Sequence, residues 1–270
     1  RPEFALASSN TITDCYIYGS TAVYIGYSST GTVIENSVIV STGTASNGVM
    51  LTDSINLFLS SNVITGGPGG AGIWLDEYND GTISIASNTI LAGAKYGIYI
   101  STQSMDTQVW ITSNTIIPTV TSAYDTYGIY IYGDGPGGSS IQILNNNVYY
   151  RNSGSMGANT SYALYARDSN NLIIKHNRFS QPGMITGGTY IGLYFTGTTN
   201  TLFEYNDVHS SGTGLTNACL LELENGSTDM VARNNIFSSS VTVTGSSATM
   251  VMDAASQSVF FSDYNNYYTF

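Results

Sequence analysis

Short runs of alternating apolar and polar residues recur along the whole chain, with the period of 2 that a half-buried strand requires. One run has the form Gly-Ile-Tyr-Ile. Aligning its copies gives a first apolar column of Val23, Val49, Ile73, Ile98, Ile129, Leu164, Leu193, Leu221 and Met250. The second column reads Ile25, Leu51, Leu75, Ile100, Ile131, Ala166, Phe195, Leu223 and Met252. Both columns face inward. Another alternating run follows, with Leu57 and Leu59, Ile83 and Ile85, Val109 and Ile111, or Ile141 and Ile143 as its apolar positions. No stretch sustains the 3.6-residue period of a helix.

Between these runs a Ser-Asn-x-Ile phrase, or a close relative, recurs at Asn10, Asn36, Asn62, Asn88 and Asn114, four consecutive spacings of 26 residues. It continues at looser spacing through Asn146, Asn177, Asn206, Asn234 and Asn265, with an apolar residue two positions on, from Ile12, Val38 and Ile64 to Val208 and Ile236. Three short strands per turn of 24 to 35 residues predict an all-β, right-handed parallel β-helix. It is a three-faced solenoid of about ten coils and a single domain over 1–270. A leucine-rich horseshoe would need its own Leu-x-x-Leu-x-Leu phrase. Stacked at one tight turn per coil, each Asn amide can donate to the next Asn and accept from the one before, an asparagine ladder.

On the Gly-Ile-Tyr-Ile strand the residue between the buried columns must point outward, and that column reads Tyr24, Met50, Trp74, Tyr99, Tyr130, Tyr165, Tyr194, Glu222 and Val251. From Trp74 to Tyr194 it is aromatic, a stripe about 19 Å long at ~4.8 Å per coil. Two compatible readings follow. One is a packing ladder; the other is a carbohydrate-binding platform of Trp74, Tyr99, Tyr130, Tyr165 and Tyr194, with Glu222 at its end. The connections entering this strand lengthen at 118–127, 149–162, 180–191 and 237–249, which would let loops wall a groove beside the stripe.

The next outward column ends in Arg167, Thr196, Glu224 and Asp253, so Glu222, Glu224 and Asp253 form an acidic trio. Like charges so close raise a pKa or recruit a cation. No resident cofactor is expected. Ca²⁺ is the one ion the trio, or the oxygen-rich turn Asp76-Glu77-Tyr78-Asn79-Asp80-Gly81, could take. The turn lacks EF-hand spacing. The Gly-rich runs at 66–70 and 133–138 lack the Lys-Ser/Thr of a phosphate loop and read as turns.

These repeats, from Asn10 to the closing Ser262-Asp263-Tyr264-Asn265-Asn266-Tyr267, resemble the pectin lyase-like family of right-handed parallel β-helices. The resemblance implies that the Gly-Ile-Tyr-Ile strand corresponds to the sheet called PB1, the segment before Asn to PB2 and the one after it to PB3. It implies no single activity, since the same coil serves lyases, hydrolases, epimerases, tailspikes, adhesins and inactive surface proteins. Family lyases generally use a basic groove residue, for which Arg167 and Lys95 are the candidates near this face. The polygalacturonase-like Asn-Thr-Asp, paired-Asp and Gly-His-Gly phrases are missing. His176 precedes the ladder turn and His209 begins a loop, and neither pairs with a recognisable nucleophile in the sequence. Catalytic and metal-ligating residues therefore stay unassigned.

Composition narrows the partners. Charged residues make up 9% of the chain and apolar ones 42%, too apolar for disorder. The net charge of −11 repels phosphate backbones and anionic lipid, so nucleic acid is excluded as a partner and membrane insertion is not expected. No run reaches the ~18–20 apolar residues of a spanning helix. Cys15 and Cys219 lie about seven coils, ~34 Å, apart in this register and cannot pair. The expected protein is an extracellular or cell-surface module, non-catalytic, binding a polysaccharide or surface glycan through the stripe or serving as a rigid adhesin or stalk. The alternative is a polysaccharide lyase or glycoside hydrolase working in the same groove. Ladder phrases reach both ends and leave only 4–7 and 267–270 as covers. A fragment of a longer surface protein is expected, capped by a flanking domain or a neighbouring subunit.

Overall fold

The computed structural model describes residues 3–4, 8–26, 29–92, 95–101, 107–133, 140–150, 154–181 and 185–269, with backbone alone at 3, 4, 92, 154 and 185. The Gly-rich stretch at 134–138 and the expected cover at 5–7 lie outside the described residues. The chain forms three parallel sheets of ten strands each, and each sheet takes every third strand in sequence. Each winding thus contributes one strand to every face. The expected right-handed β-helix architecture is present, with Ala254–Gln257 the only helix among the described residues.

Both inward columns of the first sheet hold their register from Val23 and Ile25 to Met250 and Met252. Ile73, Ile83 and Ile90, one from each face of a single winding, are 0% exposed. Each such side chain contributes about 1.5–3 kcal/mol on burial. The inward stack is therefore one continuous core along the axis. Cys15 is exposed and Cys219 buried, and both are free thiols.

The corner between the second and third sheets explains the recurring asparagines. In seven successive steps from Asn62 to Asn265 each amide Nδ2 donates to the next coil's Oδ1 at 2.9–3.1 Å. The same oxygen also accepts the preceding Asn's backbone N–H, as Asn88 Oδ1 does from Asn62 at 2.9 Å. Each Nδ2 further donates to a carbonyl one coil back, as Asn114 does to Ile85 at 2.8 Å. The residue before each ladder position sits in the left-handed region, from Ser61 and Ser87 to His176, Tyr205 and Tyr264. That residue turns the chain, and the amide satisfies the backbone groups the turn exposes.

Three expected members of the file lie elsewhere. Asn36 (φ 52°) and Asn234 (φ 56°) occupy the left-handed position, and Ser37 and Asn235 stand in the file. Asn tolerates positive φ better than other residues with a Cβ, so one residue type suits both places and the phrase slips by one. Consequently the buried residues are Ile39 and Phe237 rather than Val38 and Ile236. Asn10 is at a different corner: Ile12 pairs with Ile34 in the second sheet, not the third. The ladder comprises Asn62, Asn88, Asn114, Asn146, Asn177, Asn206, Asn235 and Asn265, so regular windings number about eight rather than ten.

The corner entering the first sheet is closed by small residues. A Cβ at Gly128 would meet the Ala163 carbonyl oxygen at 2.5 Å and Val148 Cγ1 at 2.4 Å. Strand pairing skips this position, running from Tyr96↔Tyr127 to Ile98↔Ile129. Side chains on either side of the bend therefore escape strict alternation.

Two stability outcomes follow. Asn114→Ala takes the acceptor from the Asn88 backbone N–H and a donor from the Ile85 carbonyl and should lower unfolding free energy by about 2–4 kcal/mol in guanidinium titrations. Gly128→Val should cost about 2 kcal/mol or more by overpacking, and Gly128→Ala less, since Ala163 already fills the equivalent place in the next coil. A Gly128→Ala variant as stable as the parent would contradict the close approach, which is already made at Cβ.

Candidate functional site

Every residue expected on the outward stripe is in one file. Trp74, Tyr99, Tyr130, Tyr165 and Tyr194 are consecutive register partners, followed by Glu222. Their rings stack, with centroids 3.9 Å apart for Trp74–Tyr99, 5.1 Å for Tyr99–Tyr130 and 4.8 Å for the next two pairs. Interplanar angles stay within 20°. A second file, unforeseen from the alternation, lies beside the first. Tyr96, Tyr127 and Tyr162 stack at 5.1 Å and meet the first file edge-on at 4.9–5.1 Å. The repeated Tyr-x-x-Tyr phrase was its signal. Strict alternation would turn one Tyr of each pair inward, but the bend at Gly97, Gly128 and Ala163 brings both out.

This packing changes what the stripe offers. Each inner ring has both faces covered by its neighbours, so it presents an edge and a phenol hydroxyl rather than an open face. Burial pushes the phenols of Tyr99, Tyr127, Tyr130, Tyr162 and Tyr165 up, so they remain neutral donors and acceptors. At the other end, Trp74 Nε1 is buried without a hydrogen-bond partner.

The file terminates in carboxylates. Tyr194 Oη donates to Glu224 Oε2 at 2.6 Å. Half-burial, then the Glu224 charge and a hydrogen bond to that carboxylate, push the Glu222 carboxyl up to about 7. Asp253 does not join them: it caps the short helix, accepting from Ser256 N at 2.7 Å and Gly226 N at 3.2 Å. The expected trio is thus a pair. Among the described residues no three His, Cys, Asp or Glu side chains gather as a metal site.

Beside this end lies an open polar depression of about 410 Å³, lined by Tyr165, Arg167, Asp168, Tyr194, Thr196 and Asn225. Arg167 pairs with Asp168 at 3.1 Å and covers the Tyr132 ring at 5.4 Å, and Lys95 covers Tyr96 at 5.1 Å. The connection at 119–125 runs between strands as a loop, whereas other lengthened connections prolong strands where they are described, as in Gly154–Arg167 against Ile185–Thr196. In the Asp76–Gly81 turn, Asn79 donates to the Asp76 carbonyl at 2.6 Å and Asp80 accepts from Gly81 N at 2.6 Å. His209 lies within the strand Asp207–Leu215, not a loop, with Nδ1 2.9 Å from Ser238 Oγ. His176 stacks on Tyr205.

The folded Glu222 keeps its proton to about pH 7, whereas the unfolded carboxyl loses it near its ordinary 4.5. The unfolded chain binds fewer protons between these values, so this group's contribution to stability falls as pH rises through that window. Glu222→Gln should therefore raise the melting temperature above pH 7 and leave it nearly unchanged at pH 4. A gain of equal size at both pH values would count against the pairing.

No curated protein matches the chain. Among solved structures it is similar to the crystal structure of Dettilon tailspike protein (gp208), at 15% sequence identity and a TM-score of 0.38. That alignment covers 94% of this chain and 60% of the tailspike chain, so the chain spans well under two thirds of that protein's length. The family described as right handed beta helix region matches residues 4–147. With that match over half its length and three parallel sheets wound as the family requires, the chain belongs to the right-handed β-helix family.

Proposed function

We propose that this protein is an extracellular or cell-surface module that holds a polysaccharide along the outward aromatic face of its first sheet, without cleaving it, as a rigid adhesin or stalk. One observation carries the reading: a double file of aromatic side chains repeating once per coil, with neighbouring rings 4.8–5.1 Å apart over most of its length. A linear glycan repeats sugar by sugar at a similar interval, so each coil can offer one sugar a phenol edge and hydroxyl. The depression beside Tyr165 and Tyr194 adds the Arg167 guanidinium and the Asn225 amide for hydroxyls or acidic substituents. Rigid side chains ordered before binding lose little entropy on contact.

Cleavage has weaker support. The Glu222 carboxyl, pushed up to about 7, stands beside Glu224 alone, and among the described residues no third His, Cys, Asp or Glu side chain gathers with them.

On a broad glycan array, Tyr130→Ala and Trp74→Ala should each lower affinity about 10-fold, a loss of ~1.4 kcal/mol. Unchanged binding by both variants would remove the aromatic face from consideration. Incubation with the bound polysaccharide, with and without Ca²⁺, should release neither reducing nor unsaturated ends. Release of either would replace binding by catalysis.

A further inference from the structure

The loop at 119–125 lies between Thr115–Pro118 and Thr126–Tyr132, on the side of the aromatic face where Tyr96, Tyr127 and Tyr162 form the second file. Three hydrogen bonds pin it to neighbouring coils. Tyr124 Oη accepts from Gly69 N at 2.9 Å, two coils back. Asp125 Oδ1 accepts from Thr160 N at 2.7 Å, and Asn159 Nδ2 donates to the Thr121 carbonyl at 3.4 Å, both one coil on. The pins span three coil steps, about 14 Å along the axis, beside the rings from Trp74 to Tyr165. A segment held in this way is a wall ordered before any ligand arrives.

The wall presents an acceptor to the groove. Asp125 is partly exposed, and with Oδ1 fixed by Thr160 its Oδ2 meets no donor among the described residues. Both files feel its charge: after burial it pushes the phenols of Tyr127 and Tyr162 up, and it acts on Tyr165 as well. Other carboxylates surround the same rings. Asp76 acts on Tyr99, Asp168 and Glu224 act on Tyr165, and Glu224 accepts from Tyr194 Oη. Against these four carboxylates stand two cations among the described residues, Lys95 over Tyr96 and Arg167, and Arg167 is answered by Asp168 at 3.1 Å. The face is therefore negative even while Glu222 keeps its proton.

We infer that the glycan held on this face, under the function proposed above, is hydroxyl-rich and carries no acidic group, and that Asp125 sets this choice. A sugar hydroxyl donates to the open Oδ2 and gains a charge-assisted hydrogen bond. A uronate or sulfate brings no proton to that oxygen and meets like charge along the strip. Arg167 does not offset this, being engaged by Asp168 and the Tyr132 ring, which leaves Lys95 as one cation against the frame. An amino sugar gains no advantage over a neutral one, because the carboxylates already have partners: Asp125 the Thr160 N–H, Asp168 Arg167, and Glu224 Tyr194. An ammonium would also have to shed tightly held water. Specificity here comes from a repelled competitor as much as from a new contact.

Binding of the whole chain should be measured on an array of neutral, uronate-bearing, sulfated and amino-bearing oligosaccharides, then by titration calorimetry of the tightest neutral ligand and its uronate counterpart. The neutral ligand should bind at least about 10-fold more tightly and be indifferent to salt, whereas the affinity for the uronate should rise with salt as like charges are screened. Asp125→Asn keeps an acceptor for Thr160 N and should lower the neutral affinity about 10-fold while narrowing the preference over the uronate. Tyr124→Phe removes the pin at Gly69 and should weaken both ligands alike, leaving their ratio unchanged. Tighter binding of an acidic ligand, lost in Tyr130→Ala, would overturn this inference and leave the glycan face standing. Binding of no glycan at all would overturn both. A tighter amino-bearing ligand, or an Asp125→Asn variant with the parent's ratio, would take the choice away from Asp125; if that variant misfolds, the salt dependence of the parent chain decides.

Discussion

A parallel β-helix is a stack of windings that could slide on one another, because backbone hydrogen bonding between parallel strands is satisfied at many registers. Here the sliding is stopped at one corner. A residue in the left-handed region turns the chain, and the asparagine after it ties three coils together through its amide, accepting from one neighbour and donating to the other and to a carbonyl. Slipping by one residue would break this file and turn every inward Ile and Leu to solvent. Core, sheets and outward faces therefore all depend on that corner.

Once register is held, sequence positions become lines. A tyrosine repeated once per coil becomes a stack of rings, and an apolar residue repeated on another face becomes a long hydrophobic edge. The chemistry of this protein comes from such repetition rather than from a constellation of unlike residues. Its few charges fit the same scheme. Glu204 is nearly buried, and though burial alone would raise its pKa, Lys175 above and Arg233 below hold it lowered. Glu222 has no such cation, and its proton is held by burial and by Glu224 instead.

The aromatic face shows how stacking alters what a surface presents. Rings that satisfy one another face to face gain about 0.5–1.5 kcal/mol per pair, but they withdraw those faces from a ligand. What remains is a ruled strip of edges and hydroxyls ending in a carboxyl pair and a polar hollow. Such a strip suits an extended, hydroxyl-rich chain better than a single flat ring.

Period-2 alternation and the recurring asparagines determined the architecture, the inward columns and the membership of the outward aromatic file, since each depends only on spacing along the chain. Spacing could not tell which of two adjacent positions held the ladder, because Asn36 and Asn234 suit a left-handed turn as well as a file. Nor could it place Tyr96, Tyr127 and Tyr162, whose outward direction comes from a bend that breaks alternation. The tertiary structure also separated Asp253 from Glu222 and Glu224 by turning it to cap a helix, and it closed the aromatic faces on one another. Side-chain direction and ring stacking depend on contacts between coils about 30 residues apart. Those contacts exist only once the windings are stacked.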